Sequence, residues 1–311
     1  MRRIILDTDP GVDDALAFML AFASPEVGVE AVTTVDGNVR EERGHGNAKR
    51  LLEFFGRSDV PVARGAARPL LRLRDHAEAF HGKTGLGDAV LPEPTMASDP
   101  RPAARLIAEE ADRLGKDLTI VAIGPLTNVA LAIAIDPDLP RKVGGLVIMG
   151  GAFNLTPYGV GNASPVAEFN VWHDPEAAKI VFESGIHVVC AGLDVTTHPE
   201  NRLGPAHLAQ IESAGTRRSR LASDLLRTLV GKYGGFSLHD PMSVAYVVDP
   251  TLFGTERHAV SVETRGEITE GMTVVDRRPR RPPGGGNAEI ITRVDSARFL
   301  SLVLGRVACG E

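Results

Sequence analysis

The chain has 311 residues and a formal net charge of −6, with 43% hydrophobic and 24% charged residues. This composition is typical of a globular protein with a sizeable core. The acidic balance disfavours nucleic acid as a partner, because phosphate binding needs a basic surface. Two cysteines, Cys190 and Cys309, exclude a disulfide framework in practice and favour a reducing compartment. With neither a signal-peptide core nor a run of transmembrane length, we expect a cytoplasmic protein without a membrane partner.

Short apolar runs alternate with amphipathic helical segments along the chain. Strands are predicted at residues 3–8, 29–35, 118–123, 145–149 and 186–191. Helices are predicted at residues 13–23, 40–55, 102–114, 125–135 and between Asp174, as N-cap, and Gly185. Short strands at 259–263 and 289–292 precede a last helix at 296–307.

This alternation is typical of parallel strands joined by right-handed helical crossovers, with helices on both faces of the sheet. No low-complexity linker or internal repeat divides the chain. The sequence therefore predicts a single α/β domain over residues 1–311, with a mostly parallel, Rossmann-like central sheet. Ligands of such sheets bind beyond the carboxyl ends of the strands. The densest basic cluster lies in a Pro/Gly-rich stretch and indicates a solvated loop; it consists of Arg277, Arg278, Arg280 and Arg281.

Four aspartates, Asp7, Asp9, Asp13 and Asp14, crowd the turn between the first strand and the first helix. Capping and the helix dipole stabilise one or two acidic residues there, by about 0.3–1 kcal/mol each. Capping does not account for Asp9, which ends the strand and faces the same turn. A bound divalent cation does, because the sharp Pro-Gly turn lets Asp9 converge with the Asp13 and Asp14 pair. An all-oxygen ligand set suits Ca²⁺ or Mg²⁺, between which spacing alone does not decide.

A second constellation is the sequence His239, Asp240, Pro241 before a predicted apolar helix at 242–248. Asp240 fits an ordinary N-cap with Pro241 at the first helical position. A lone histidine is most often structural or exposed, so these residues by themselves leave a structural role and a functional role open.

A third constellation is a polar loop at residues 161–170, which contains Asn162, Glu168 and Asn170. The loop follows the strand predicted at 145–149. Side chains that both donate and accept hydrogen bonds suit a polyhydroxylated ligand such as a sugar. Ordinary turn chemistry also accounts for each asparagine singly.

Taken together, the motifs of this chain resemble those of the inosine-uridine preferring nucleoside hydrolase family. The opening DTDPGVDDALA, which starts at Asp7, is similar to that family's N-terminal signature. The likeness continues in order through DGN, HGKTGLG, AIGPLTNVALA, IMGG, ASPVAEFN, HDPEAA and HDP, and it spans nearly the whole chain. The resemblance implies the nucleoside hydrolase fold. It also implies an enzyme that uses water to cut the N-glycosidic bond of a ribonucleoside, in nucleoside salvage or catabolism.

The resemblance further implies a site for each part of the substrate. A calcium ion would be held by Asp9, Asp13, Asp14, the carbonyl of Ile123, and Asp240. The substrate would be bound by Asp13, Asn38, Asn162, Glu168, Asn170 and His81. Three departures from the family pattern are Ile123, where many members have threonine, Thr84, where aspartate is frequent, and a longer loop at 152–160. A main-chain ligand tolerates the change at Ile123.

The implied mechanism divides the work between Asp9 and His239. Calcium lowers the pKa of a water molecule, and Asp9 as general base takes the proton of that water. The ribose acquires oxocarbenium character, which Asn162, Glu168 and Asn170 stabilise electrostatically. His239, whose imidazole can be charged near neutral pH, is the acid for the departing base.

The resemblance defines the preferred nucleobase and the oligomeric state less closely. His239 favours the family branch that acts on inosine, uridine and cytidine. The other branch stacks a purine between tryptophans, and the single tryptophan of this chain, Trp172, cannot do so alone. Tyr233, His81 and Arg227 are candidates for contact with the base. Family membership implies a homodimer or a homotetramer, without a choice between them.

Two other functions fit part of the pattern. The sequence Asp7, Thr8, Asp9 resembles the DxD loop of haloacid dehalogenase phosphatases, but the residues that follow continue that motif badly and leave His239 unexplained. A non-catalytic nucleoside-binding protein would keep the acidic cluster and lose the proton donor, whereas His239 is present. An assay of phosphate release against base release discriminates between these functions.

Overall fold

A computed structural model describes residues 1–278 and 285–308 of the chain. Its strands are β1 (Arg2–Thr8), β2 (Val27–Thr34), β3 (Val62–Ala63), β4 (Leu118–Ala122), β5 (Gly145–Met149), β6 (Val188–Ala191), β7 (Arg202–Leu203), β8 (Phe236–Ser237), β9 (Phe253–His258), β10 (Val260–Val262), β11 (Thr273–Val275) and β12 (Ala288–Val294). Its α-helices are α1 (Val12–Phe22), α2 (Glu41–Phe54), α3 (Glu78–His81), α4 (Ala103–Leu114), α5 (Thr127–Ile135), α6 (Leu139–Lys142), α7 (Phe169–His173), α8 (Pro175–Glu183), α9 (Leu193–Thr196), α10 (Pro205–Ser213), α11 (Arg217–Tyr233), α12 (His239–Val248) and α13 (Ser296–Ala308). Short 3₁₀ turns lie at Gly115–Asp117, Pro199–Asn201 and Pro250–Leu252.

Eight strands of the described ranges form one sheet in the order β3-β2-β1-β4-β5-β6-β12-β9. All neighbouring pairs are parallel except β12 and β9, which confirms the predicted mostly parallel α/β sheet. The strand order reverses at β1, with β2 and β3 on one side and β4 to β6 on the other. A crevice opens beyond the carboxyl ends of the strands at such a point. The loops after β1 and β4 are therefore placed to form a ligand site.

Alternate side chains of β1 enter two apolar cores, one on each face of the sheet. Ile4 and Leu6 pack with residues of α1, α11, α12 and α13. Ile5 packs with residues of α4, α5 and α8. All three side chains are fully buried. Helices thus cover both faces, as predicted, and β1 holds the acidic turn that follows it in a fixed place.

Most predicted elements occur with ends shifted by one or two residues. Helix α8 begins after Asp174, whose side chain accepts a hydrogen bond from the Ala177 amide, as the N-cap prediction requires. The start of the helix expected at 242–248 is corrected by three residues, because α12 already begins at His239. This correction matters for function, since His239 and Asp240 then lie within the helix. The strand expected at 259–263 occurs as β10, but it pairs with β11 outside the main sheet.

Smaller predictions have mixed outcomes. Cys190 is buried in β6, whereas Cys309 lies outside the described residues. Arg277 and Arg278 are exposed, as expected of a solvated loop, and Arg280 and Arg281 also lie outside the described residues. Within 1–278 and 285–308, no helix has both the length and the apolarity needed to cross a membrane.

Candidate active site

Asp9 lies directly beyond the carboxyl end of β1, in a slot between the loops that follow β2 and β4. Its carboxylate is buried, and Oδ2 accepts a hydrogen bond of 2.7 Å from the Asn38 amide. A Cβ atom on Gly124 would lie 2.7 Å from Oδ1, and a Cβ atom on Gly37 would overlap Oδ2. Both positions therefore need glycine for this close approach. Sequence reasoning missed their role, although each glycine stands in a motif that follows a strand.

Beside Asp9, the carboxylates of two consecutive residues, Asp13 and Asp14, converge on one point with that of the remote Asp240. Asp13, Asp14 and Asp240 each offer a ligand oxygen, and these atoms lie within 4.8 Å of one another. Asp9 is not a member of this three-residue group, but it lies near enough for the charges of Asp14 and Asp13 to raise its pKa. The structure thus brings together the four aspartates that were predicted to hold a metal.

Helix capping explains only one of these four carboxylates. Asp14 Oδ2 accepts a 2.8 Å bond from the amide of Gly11, the N-cap of α1, and Asp14 Oδ1 accepts a bond from the Thr8 hydroxyl. Asp240 has no capping role, because α12 begins one residue earlier and its N-cap, Leu238, receives no side-chain bond. The interpretation of Asp240 as an ordinary N-cap is therefore wrong.

Several oxygens of the cluster are buried without a hydrogen-bond donor. They are Oδ1 of Asp9, Oδ1 of Asp13 and Oδ2 of Asp240. A buried carboxylate oxygen without a partner costs several kilocalories per mole unless a cation or a proton neutralises it. The donor set contains only oxygens, which suits a hard divalent cation. These residues therefore fit a metal ion.

The ionisation of the cluster supports the same conclusion. Burial, and then repulsion from neighbouring carboxylates, raises the pKa of Asp9 and of Asp240 well above the ordinary value. The same two causes raise the pKa of Asp13 to about 8, and burial raises the pKa of Asp14. Without a counter-ion, four such groups cannot all ionise near neutral pH. A divalent cation removes both causes at once.

The carbonyl of Ile123, expected as a main-chain metal ligand, follows β4 at the floor of the same crevice. It accepts a 3.1 Å hydrogen bond from Nδ2 of Asn170, which leaves one lone pair for a further partner. The same Nδ2 donates to the Met149 carbonyl at 3.0 Å. Asn170 is thus fixed by two strand ends, which leaves its carbonyl oxygen for a ligand.

A cleft of about 450 Å³ opens above the cluster, a volume in the range of small-molecule sites. Its wall includes nine of the predicted site residues: Asp13, Asn38, His81, Ile123, Asn162, Glu168, Asn170, His239 and Asp240. Asp9 and Asp14 are fully buried and do not line it. The sequence therefore identified most of the polar wall of the cleft.

The predicted ribose-binding side chains are held by backbone groups. Glu168 accepts bonds from the amides of Asn170, Gly151 and Val171 at 2.8, 3.0 and 3.1 Å, so it also caps α7. Asn162 Oδ1 accepts a 2.9 Å bond from the Phe169 amide. These bonds fix both side chains before any ligand binds.

Asn38 is tied to the acidic turn by both its backbone and its side chain. Besides the amide bond to Asp9, its Nδ2 donates to Oδ2 of Asp14 at 3.1 Å. Asn38 also lines the cleft. It therefore links the loop after β2 to the predicted metal ligands.

A second part of the wall is aromatic, and sequence reasoning found little of it. Phe80 stacks on Tyr233 and on Phe236, with ring centroids 5.8 and 6.1 Å apart. Tyr233, expected near the base, does line the cleft. The prediction that Arg227 contacts the base is wrong, because Arg227 lies in α11 and bonds Glu212 on the exposed surface. No local motif marks Phe80 or Phe236, since helix, turn and strand bring these rings together only in the fold.

Burial lowers the pKa of both histidines of the cleft. His81 Nδ1 accepts a 3.1 Å bond from the Val12 amide, and burial lowers the pKa of His81 to about 3. Its 3.8 Å approach to Asp13 is therefore not an ion pair. His239 Nδ1 lies 2.8 Å from the Thr196 hydroxyl. Burial, and then the cation of Arg202, lowers the pKa of His239 to about 4, which favours the neutral imidazole in the resting site.

Comparison with known proteins identifies the family. The sequence pattern of the inosine-uridine preferring nucleoside hydrolases matches residues 4–301. The chain belongs to this family. Two relatives, the pyrimidine-specific ribonucleoside hydrolases RihA of Citrobacter koseri and Shigella flexneri, are each 42% identical to it over 98% of this chain and 97% of theirs. A solved plant nucleoside hydrolase has a TM-score of 0.90 and 32% identity over 99% of both chains, and an inosine-guanosine nucleoside hydrolase has 0.90 and 31% over the whole of both chains.

Membership of this family fixes the class of reaction. The protein is a ribonucleoside hydrolase, an enzyme that uses water to separate a base from its ribose. The DxD phosphatase alternative is therefore wrong. A non-catalytic binding protein is also disfavoured, since the relatives are named as hydrolases and the proposed proton donor His239 lines the cleft.

The departures from the family pattern have simple structural outcomes. The loop at 152–160 is held by the Asp194 carboxylate, which accepts bonds from the amides of Phe153, Leu155 and Thr156 at 2.8, 2.6 and 3.1 Å. Thr84 uses its hydroxyl locally, to accept a 3.3 Å bond from the Leu86 amide. Neither change enters the cleft wall.

The single tryptophan of this hydrolase is occupied elsewhere in the fold. The Arg74 guanidinium carbon lies 4.5 Å from the centroid of the Trp172 ring. Trp172 does not line the described cleft. The expectation that it forms no purine sandwich is therefore in accord with its position.

Proposed function

We propose that this enzyme hydrolyses pyrimidine ribonucleosides to free base and ribose, and that it depends on calcium. The observation that carries the proposal is the buried carboxylate cluster at the floor of a cleft whose wall is partly aromatic. A polar floor suits the sugar, and stacked rings suit a planar base. The preference for pyrimidines is supported by two pyrimidine-specific relatives at 42% identity.

The proposed calcium ligands are Asp9, Asp13, Asp14, the Ile123 carbonyl and Asp240. Their unpartnered oxygens and raised pKa values favour a divalent cation, and an all-oxygen set favours calcium over zinc. When bound, the ion lowers the pKa of a nucleophilic water and attracts the ribose hydroxyls.

The residues of the chain then divide the hydrolysis among them. Asp9 accepts the water proton at its unpartnered Oδ1. Oxygen from that water bonds to C1′ of the ribose as the electron pair of the C1′–N bond moves to the base. Asn162, Glu168 and Asn170 orient the ribose, and the Glu168 carboxylate stabilises the positive charge on the ring. Asp13 and Asn38 bind the hydroxyls on the floor side.

His239 is the proposed acid for the departing base, and His81 a second contact of the substrate. The resting imidazole of His239 is neutral, since burial keeps its pKa at about 4. Negative charge that develops on an adjacent base favours the protonated imidazole. His239, which lines the open cleft, therefore takes up a proton from solvent as the base becomes negative and passes that proton to the base late, after most of the C1′–N bond has broken.

Steady-state kinetics over a panel of ribonucleosides tests the proposal. We expect uridine and cytidine to be hydrolysed with a higher kcat/KM than inosine or guanosine. We also expect 2′-deoxyuridine to react roughly 10⁴-fold more slowly than uridine, since a site built for a hydroxyl rejects an analogue without it. Equal turnover of uridine and 2′-deoxyuridine would contradict the ribose placement, and a preference for inosine would contradict the base assignment.

We further propose that the whole of residues 1–311 is one hydrolase domain, active in the cytoplasm in nucleoside salvage or catabolism. The assembly is proposed to be a homodimer or a homotetramer, on the strength of the family resemblance. Sedimentation equilibrium of the purified protein measures the assembly directly, and a monomer at micromolar concentration would overturn this part.

A further inference from the structure

Arg202 is the one lysine or arginine in the described wall of the cleft, and it has no role in the mechanism above. It lies in β7, which pairs with β8 through Ser237. Its Nη2 donates a 2.9 Å bond to the Gly235 carbonyl. That bond anchors the guanidinium at the edge of the cleft, beside Phe236 and His239.

The guanidinium of Arg202 is only partly satisfied by the protein. Its Nε is buried without a hydrogen-bond acceptor. Among residues 1–278 and 285–308, no carboxylate lies within ion-pair distance of it, whereas Arg72, Arg74, Arg101 and Arg113 each have such a partner. A buried donor without an acceptor is costly. The unpaired N–H group of Arg202 is therefore suited to bind an acceptor atom of a ligand in the cleft.

The charges around Arg202 show what kind of acceptor it would meet. The other acidic or basic side chains of the wall, apart from two histidines, are the carboxyl groups of Asp13, Glu168 and Asp240. During hydrolysis the ribose becomes positive and the base becomes negative, because the base keeps the electron pair of the broken bond. Carboxylates on the floor favour the positive ribose, whereas only Arg202 offers a fixed positive charge to the base.

We propose that Arg202 contacts the base of the nucleoside and stabilises the negative charge that the base acquires as its bond to C1′ breaks. The proposal rests on the proposed function. A pyrimidine carries a carbonyl oxygen next to the nitrogen that is bonded to ribose, and the excess charge delocalises onto that oxygen. Guanidinium N–H groups bind such an oxygen directly. A purine has no carbonyl next to its ribose-bonded nitrogen, so Arg202 also favours pyrimidines over purines.

Two substitutions and one control test this role. Arg202→Gln removes the charge with little loss of length, and Arg202→Lys keeps the charge but loses the planar donor set. Arg227→Gln is the control, because Arg227 is an exposed cation that bonds Glu212 outside the cleft. Each variant is assayed with uridine, 5-fluorouridine, inosine and p-nitrophenyl riboside.

We expect Arg202→Gln to lower kcat/KM for uridine on the order of 10²-fold, the usual effect of removing one donor from a developing anion. The loss should be smaller for 5-fluorouridine, whose base leaves more readily, and smallest for p-nitrophenyl riboside. Inosine should lose less than uridine. Arg202→Lys should fall between wild type and Arg202→Gln, and the inhibition constant of free ribose should not change in any variant.

An equal loss for all four substrates, or no loss, would overturn the assignment of Arg202. If Arg202→Gln lowers the melting temperature, the comparison of substrates in Arg202→Lys decides instead, since a folding defect reduces all four rates alike. Failure of the proposed function is distinguishable, because the wild-type protein would then not prefer uridine and cytidine over inosine. A wild type that is active on uridine, with unaffected Arg202 variants, rejects only the role of Arg202.

Discussion

Removal of the proposed ion should make the stability of the folded protein fall as the pH rises from 7 to 8.5. The reason is the raised pKa of Asp13, which is about 8 in the folded protein against an ordinary value of 3.8. A group whose pKa is raised by folding stabilises the fold fully only below its unfolded pKa, and that stability is lost as the pH rises through the folded pKa. The difference between the two pKa values of Asp13 corresponds to about 6 kcal/mol in the free energy of unfolding.

The window from pH 7 to 8.5 isolates the acidic cluster from other buried groups. Burial lowers the pKa values of His45, His81 and His239 to about 4, 3 and 4, so they affect stability only below about pH 6.5. Asp7, with a pKa of about 6, is also almost fully ionised at pH 7, so it no longer changes the free energy of unfolding above that pH. Asp13 alone then contributes a loss of about 1 kcal/mol across the window.

Urea unfolding, followed by the fluorescence of the single tryptophan, measures this change. Protein in EGTA should lose at least that free energy of unfolding between pH 7 and 8.5, since Asp9 and Asp240 add to the effect of Asp13. Protein in excess calcium should not lose stability over this range, because the ion competes with protons and binds more tightly as the pH rises. Asp13→Asn should flatten the slope in EGTA. A stability of the chelated protein that is constant or rises with pH would refute the reasoning.

Three substitutions test separate parts of the site. His239→Ala should reduce kcat for uridine by about 10²–10⁴-fold but leave p-nitrophenyl riboside, whose phenolate leaves unaided, nearly unaffected; an equal loss for both makes His239 a positioning residue. Asp240→Asn should weaken calcium binding, measured by calorimetry, and slow every substrate, whereas unchanged calcium affinity would remove Asp240 from the ligand set. Gly37→Ala should displace the Asp9 carboxylate and cut turnover by about 10²-fold. Gly305→Ala, in open space on α13, is the matched control, and equal activity of both variants would show that Asp9 tolerates the shift.

The sequence by itself determined the elements of the fold and the polar part of the site. Residues 3–8 are apolar with an acidic end, and such a run predicts a buried parallel strand because both its faces must pack. The resemblance of the ordered motifs to those of the nucleoside hydrolases then predicts that Asp9, Asp13, Asp14 and Asp240 share one site. The strand is local in the chain, so periodicity and capping residues suffice to find it, whereas the common site of the aspartates is what the family resemblance implies.

Only the tertiary structure decided which side chains are satisfied and what completes the cleft. Asp240 fits an N-cap from its neighbours alone, and the fold shows instead a buried carboxylate beside Asp13, more than two hundred positions away in the chain. Phe80 and Arg202 reach the cleft from α3 and β7, elements too short to have a periodic signal. Burial and the cation of Arg202, which lies in a remote segment, also lower the pKa of His239. Each of these properties depends on desolvation and on contacts between remote segments, which sheet order and packing fix and no local pattern encodes.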